Sequence, residues 1–276
     1  MVNIETEIRE RPVGVFDSGV GGLTVVSELF RVLPREDIVY FGDTAHLPYG
    51  SKSKEAVVRF SLDIANFLKK EKVKIIVVAC STASSLALSS LRENMELPVI
   101  GVIEPGAQAA IDTTRNFRIG VIGTEGTINS RAFEDALKRI DKKVKVFSQA
   151  CPLFVPLVEE GWLDEPETLQ IAKKYLSPLR DKGIDTLILG CTHYPLLKGL
   201  LSRIMEKKVS LIDTAEATAK VVERTLSEEN LLTNANRKAV YKFFVSDDPE
   251  KFLQLGRRFL GKNIDKAERV DLEAME

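Results

Sequence analysis

Short apolar runs alternate with longer segments of helical periodicity along most of the 276-residue chain. The runs PVGVF (12–16), DIVYFG (37–42), VKIIVVA (73–79), LPVIGV (97–102), FRIGVIG (117–123), KVKVFS (143–148), DTLILG (185–190) and VSLID (209–213) predict eight strands. Between them, residues 53–70, 129–140 and 166–183 carry helical spacing, and Pro178 is expected to kink or break the third helix. Strands that are nearly continuously apolar and separated by helices predict an α/β fold, with parallel sheets covered on both faces. Ligands of such sheets bind beyond the carboxyl ends of the strands, so chemistry is expected in the loops that follow them.

Four of those loops stand out: FDSGVGG (16–22), ACSTASS (79–85), GTEGT (123–127) and GCTHYP (190–195). Each ends an apolar strand, is rich in Gly, Ser or Thr, and opens a helix, where backbone N–H groups favour anions. Their order repeats. Asp17 and Cys80 lie 63 residues apart (80 − 17), and Thr124 and Cys191 lie 67 apart (191 − 124). Two divergent copies of one α/β unit, paired about a pseudo-two-fold, would face Cys80 and Cys191 across a cleft.

Composition narrows the function. With 44% hydrophobic residues the chain can bury a large core. Lys and Arg (39) balance Asp and Glu (40), giving a net charge of -1 and no basic stripe, so neither nucleic acid nor an anionic membrane is an expected partner. No apolar run approaches the ~20 residues of a membrane span, and the first residues are charged rather than signal-like, so the expected location is the cytoplasm. Cysteines at 80, 151 and 191 are odd in number and widely spaced. They fit reduced thiols rather than a disulfide framework, and without a C-x₂₋₄-C pair no metal is expected.

A cysteine at a strand end and helix start gains from the helix dipole, which predicts Cys80 and Cys191 thiols lowered toward neutral pH. Ser81 or Thr82 can cap the first helix, and Pro195 suits the first turn of the second. A nucleophile needs one thiol, a base and an oxyanion hole. Two equivalent thiols suit different chemistry, in which a proton is removed from one face of a carbon and delivered to the other. Asp17 and His193 are the polar groups placed to assist. Cys151 reads as a buried apolar side chain, His46 as a loop residue, and Glu159, one of a Glu-Glu pair, as a solvated face. DSGVGGLT lacks the lysine of a P-loop and the third glycine of a dinucleotide fingerprint.

Taken in order, VFDSGVGGLTV, DTAHLPYG, ACSTAS, VPLVEEG and GCTHYPLL resemble the cofactor-independent glutamate racemases of the aspartate/glutamate racemase family, and the tail FFVSDDPEKFLQLGRRFLG is similar to that family's C-terminal segment. The resemblance implies interconversion of L- and D-glutamate without a cofactor, supply of D-glutamate to peptidoglycan, and a homodimer. It makes Cys80 and Cys191 the acid/base pair, with Asp17, Glu159 and His193 assisting. Asp17, Ser18, Pro48, Tyr49, Gly50, Ser81, Thr82, Thr124, Thr192 and His193 become substrate contacts. It implies two pseudo-symmetric α/β domains around the active-site cleft, taken as 1–98 plus 211–276 and 99–210, with YKFFV (241–245) pairing into the first. One departure is Ser81, where the family usually has Asn; serine offers fewer hydrogen-bonding groups, which bears on substrate affinity. Rival readings are a racemase of a related acidic amino acid such as aspartate, and a two-lobed anion-binding protein without turnover. A pyridoxal-phosphate enzyme is disfavoured because no lysine stands out as a Schiff-base former.

Overall fold

The computed structural model describes residues 4–206, 208–261, 264–272 and 274; the remaining positions, all but one of them within the expected first domain, lie outside the described residues. All eight apolar runs form strands: β1 (Val13–Asp17), β2 (Ile38–Gly42), β3 (Ile75–Val78), β4 (Val99–Gly101), β5 (Arg118–Gly123), β6 (Lys145–Ala150), β7 (Thr186–Gly190) and β8 (Ser210–Asp213). The tail adds β9 (Tyr241–Val245) and β10 (Glu268–Arg269). They build two sheets, ordered β10-β9-β2-β1-β3-β4 and β6-β5-β7-β8, with every pairing parallel.

The order β2-β1-β3-β4 recurs as β6-β5-β7-β8, which is the repeat inferred from loop spacing. Strand order reverses between β1 and β3, and again between β5 and β7. Such reversals open a crevice at the carboxyl ends. Asp17 and Cys80 flank the first, and Thr124 and Cys191 flank the second. As expected from the resemblance, YKFFV joins the first sheet, pairing with β2 in the register Ile38↔Tyr241 to Gly42↔Val245.

Alternation along the strands explains the cores. Val13, Val15, Tyr40, Ile75 and Val77 point to a core that continues into the second sheet. Their neighbours Phe16, Val39, Phe41, Ile76 and Val78 point the other way, against the helix Lys54–Lys70. A strand buried on both faces must be apolar at every position, which is why these runs read so clearly.

Several expectations change. The helix Pro166–Asp181 runs unbroken through Pro178. Proline removes the N–H that would bond the Lys174 carbonyl, and the Ser177 hydroxyl donates to that carbonyl instead, at 3.4 Å. The helix expected at 129–140 is two, Glu125–Asn129 and Ala132–Ile140, parted at Arg131, whose φ is 57°. Residues 99–101 add β4 to the first sheet, and 210–213 add β8 to the second.

Candidate functional site

One wall of the site grows from β1 and β3. Asp17 is the last residue of β1 and is buried. Its Oδ2 accepts from the N–H groups of Gly19 (3.2 Å) and Gly22 (2.9 Å), whereas Oδ1 has no hydrogen-bond partner among the described residues. Burial pushes its carboxyl up, while the charge of His193 and the Gly22 and Gly19 N–H groups pull it back. Beyond β3, Cys80 itself caps the helix Ser81–Leu86, its sulfur accepting the Ala83 N–H at 3.5 Å. Ser81 and Thr82 are therefore the first helical residues rather than caps. The thiol donates to the Ser18 hydroxyl at 3.7 Å. The buried Ser81 hydroxyl, like Asp17 Oδ1, has no partner among the described residues.

The expected lowering of the Cys80 thiol is not found. Burial, followed by the Asp17 charge, pushes it up to about 12, against the opposing pull of the Ala83 N–H and Ser18 hydroxyl. A six-residue helix has a weak dipole, and desolvation of the thiolate outweighs it. In this structure Cys80 holds its proton.

The opposite wall grows from β7. Cys191 and Thr192 follow the strand, and His193 precedes a 3₁₀ turn, Tyr194–Leu197, with Pro195 in its first turn; the α-helix begins only at Lys198. His193 Nδ1 lies 3.9 Å from the Cys191 sulfur, and Nε2 lies 3.0 Å from Glu159 Oε1. Burial works against the imidazolium, but Cys191 and Glu159 outweigh it, pushing His193 up to about 10. Glu159 sits in the helix Phe154–Glu160 and faces this pair rather than bulk solvent alone.

Two seams join the walls. At one, the Thr24 hydroxyl donates to the Thr192 carbonyl at 3.1 Å, and a Cβ added at Gly21 would come within 2.3 Å of Thr192 Oγ1 and 2.5 Å of the His193 ring. At the other, the Thr82 and Thr124 hydroxyls meet at 3.0 Å, and Gly50 abuts Thr124 so closely that a Cβ would lie 2.8 Å from its Cβ. Pro48, Tyr49 and Gly50 thus lie on the loop forming this second seam, and Thr124, capping the helix Glu125–Asn129, is its far side. Every expected site residue belongs to one of the two walls or to this loop. Cys151 is buried in the core that runs between the two sheets, and His46 is a loop residue stacked on Phe60 at 4.0 Å.

Sequence reasoning missed three contributors. Asp43, at the end of β2, accepts the Tyr49 hydroxyl; its place at a strand's carboxyl end, like that of Asp17, was the available signal. Arg258 donates to the Val158 and Glu159 carbonyls, and Phe259 sets its ring edge-on to His193, 5.2 Å away at 82°. Both come from the C-terminal helix Pro249–Leu260, and no local pattern announces a reach across the cleft.

Residues 14–222 match the family model described as Asp/Glu/Hydantoin racemase. The glutamate racemase of Geobacter metallireducens is 52% identical over 264 residues, which span 96% of this chain and 98% of that protein. The enzyme of that name from Neisseria meningitidis is 49% identical over 265 residues, 96% and 98% of the two chains. Among solved structures, a glutamate racemase isoform from Bacillus anthracis superposes with a TM-score of 0.92 at 44% identity, covering 96% of this chain and 98% of that one. The Francisella tularensis glutamate racemase, solved in complex with D-glutamate, gives a TM-score of 0.91 at 40% identity over 96% and 99%.

Proposed function

The chain belongs to the Asp/Glu/hydantoin racemase family, and from that premise we propose that it interconverts L- and D-glutamate by proton transfer between Cys80 and Cys191, with no cofactor. The observation that carries this is the placement of the two thiols. Each is the first residue or two beyond an equivalent strand of a repeated sheet, β3 and β7, and each belongs to an opposite wall of one cleft.

The α-carbon of the amino acid sits between the sulfurs. One thiolate takes the α-hydrogen as a proton, leaving the electron pair on carbon, and the opposite thiol delivers its proton to the other face. The product has inverted configuration, and the thiols have exchanged protonation states; the reverse reaction resets them. The unpartnered Asp17 Oδ1 and Ser81 Oγ offer hydrogen-bonding capacity to an incoming polar group. A substrate ammonium near Asp17 would oppose the desolvation that now keeps Cys80 protonated. His193, hydrogen-bonded between Cys191 and Glu159, assists on the other wall. Ser18, Pro48, Tyr49, Gly50, Thr82, Thr124 and Thr192 complete the substrate cage. We further assign the lobes as 1–101 with 214–276 and 102–213, and propose a cytoplasmic homodimer that supplies D-glutamate to peptidoglycan.

The test is racemisation in deuterated water. Either enantiomer should exchange its α-hydrogen with solvent, and Cys80→Ser or Cys191→Ser should each lower turnover by roughly 10²–10⁴-fold, the range of a lost general acid or base. Native-rate racemisation in either variant would end the two-thiol mechanism. Aspartate run beside glutamate identifies the substrate, and tight glutamate binding without exchange would favour a binding protein.

A further inference from the structure

Asp43 has no role in the chemistry described above, yet it is buried as deeply as Asp17. It follows β2, and its own N–H donates to the Asp17 carbonyl at 3.0 Å. Its carboxylate collects three side chains. The Tyr49 hydroxyl donates to Oδ2 at 2.5 Å, the Ser246 hydroxyl donates to Oδ1 at 2.7 Å, and His46 Nδ1 lies 2.9 Å from Oδ1. Ser246 comes from the end of β9, where its N–H donates to the Gly42 carbonyl at 3.1 Å and its Oγ accepts the Ala45 N–H at 2.8 Å. His46 stacks on Phe60 of the helix Lys54–Lys70. Asp43 therefore ties the loop 43–50 to β1 through its N–H, and to the tail strand and, through His46, a flanking helix by its carboxylate.

The far end of that loop is the Pro48–Gly50 stretch pressed against Thr124 of the other lobe. Burial and the Asp43 charge both push the Tyr49 phenol upward, so its hydroxyl stays a donor at every working pH. That donor is already used on Asp43. Tyr49 is left to meet a substrate through its backbone and ring edge, and their position depends on where the hydroxyl is held. The loop lies at the end of β2, whereas Cys80 lies at the end of β3, with β1 between them. A substrate whose reacting carbon lies at Cys80 would therefore meet this loop with its remote end.

We propose that Asp43 is a positioning residue for substrate binding: through Tyr49, His46 and Ser246 it sets the Pro48–Gly50 loop against the second lobe, and with it the fit of the substrate's remote end. This rests on the glutamate racemase reading. Its kinetic signature differs from that of a structural residue. Remote contacts made equally in ground and transition states appear in KM, whereas the thiols, carried on β3 and β7, set kcat.

The experiment is steady-state racemisation of both enantiomers, with D-glutamate binding measured by calorimetry, for the full chain and for Asp43→Asn, Tyr49→Phe, Ser246→Ala and the Asp43→Asn/Tyr49→Phe pair. Asp43→Asn and Tyr49→Phe should each raise KM and Kd about tenfold, with kcat within about threefold of the parent. The pair should be no worse than Asp43→Asn alone, because both act through one contact. Should Asp43→Asn fail to fold, Tyr49→Phe and Ser246→Ala, each losing one hydroxyl, carry the test. Unchanged KM and Kd, a fall in kcat alone, or independent multiplying effects in the pair would overturn the proposal. A parent that binds glutamate without racemising it sinks the activity while Kd still decides the role of Asp43; a parent that neither binds nor turns it over sinks both.

Discussion

At the scale of single residues, the site is governed by what burial does to charge. Cys80 and Asp17 are both pushed up by desolvation, whereas His193, equally buried, is pushed up because Cys191 and Glu159 stabilise its cation. The His193 shift has a consequence for stability. A histidine whose folded value, about 10, exceeds its ordinary 6.5 binds its proton more tightly in the folded state. The resulting stabilisation is complete below about pH 6.5 and is lost as pH rises toward 10, with a slope of at most ~1.4 kcal/mol per pH unit for one group. Denaturant unfolding at pH 6, 7.5 and 9 should show the native protein weakening across that window, and His193→Asn should flatten the decline. The Cys80 thiol acts in the same direction but only above its ordinary 9.0, so the interval from 6.5 to 9 lies below its contribution, and the comparison with His193→Asn assigns the imidazole's share. An unchanged slope in the variant would mean that His193 is not held as a cation.

At the scale of elements, the two ends of the first sheet do different work. The carboxyl ends carry Asp17, Asp43 and Cys80. The amino ends carry a buried ion pair, Lys74 with Glu36 at 2.5 Å. The Lys74 ammonium also donates to the carbonyls of Arg9 (2.6 Å) and Leu231 (2.8 Å), and Glu36 accepts the Thr233 N–H at 2.8 Å. One side chain at the head of β3 thus fastens the N-terminal helix Ile4–Arg9 and the chain beyond the helix Thr214–Glu228. Lys74→Met leaves Glu36 buried without its cation, which should cost about 3–5 kcal/mol in denaturant unfolding. Because the pair lies at the opposite end from the thiols, kcat/KM of the folded fraction should stay within a few-fold. A loss below 1 kcal/mol would class it with ordinary surface pairs.

The same division explains what the sequence made legible. The inner strands read most clearly because burial on both faces leaves no polar position to blur them, whereas the edge strands β6 and β8 keep exposed polar residues such as Lys145 and Ser210 and are carried by their apolar neighbours. The four loops, the repeat and the matched cysteines follow directly from those strands. Helix detail was less accessible, since Pro178 is accommodated by the chance neighbour Ser177 and the division at Arg131 rests on one backbone angle. The Cys80 thiol was misjudged because a helix start is local and visible, whereas the desolvation that outweighs it comes from the whole closed cleft. Ser246, Arg258 and Phe259 lie far along the chain from the groups they hold, and no periodicity connects them.

At the scale of the whole molecule, each lobe contributes one thiol and the lobes share one apolar core, so activity depends on how closely their site walls meet. One such contact is at Gly21, where the chain from β1 passes so near Thr192 and His193 that no side chain fits. Gly21→Ala separates the two properties. The added methyl would lie 2.3 Å from Thr192 Oγ1, and neither of its neighbours there can withdraw easily, since both are buried and hydrogen-bonded at the Cys191 wall. The strain is relieved by parting the lobes rather than by unfolding either. Displacing reacting groups by about 1 Å is enough to cost roughly 10²-fold in rate. Gly21→Ala should therefore lower kcat/KM by about that factor, and equally for both enantiomers, because L- and D-glutamate have equal free energies and their equilibrium constant is one. Its unfolding free energy should stay within about 1 kcal/mol of the parent, because the methyl meets polar groups of the seam rather than the apolar side chains of the shared core. Retained activity, or a collapse of stability in step with activity, would show that closure at this seam is not what brings Cys80 and Cys191 to the same carbon.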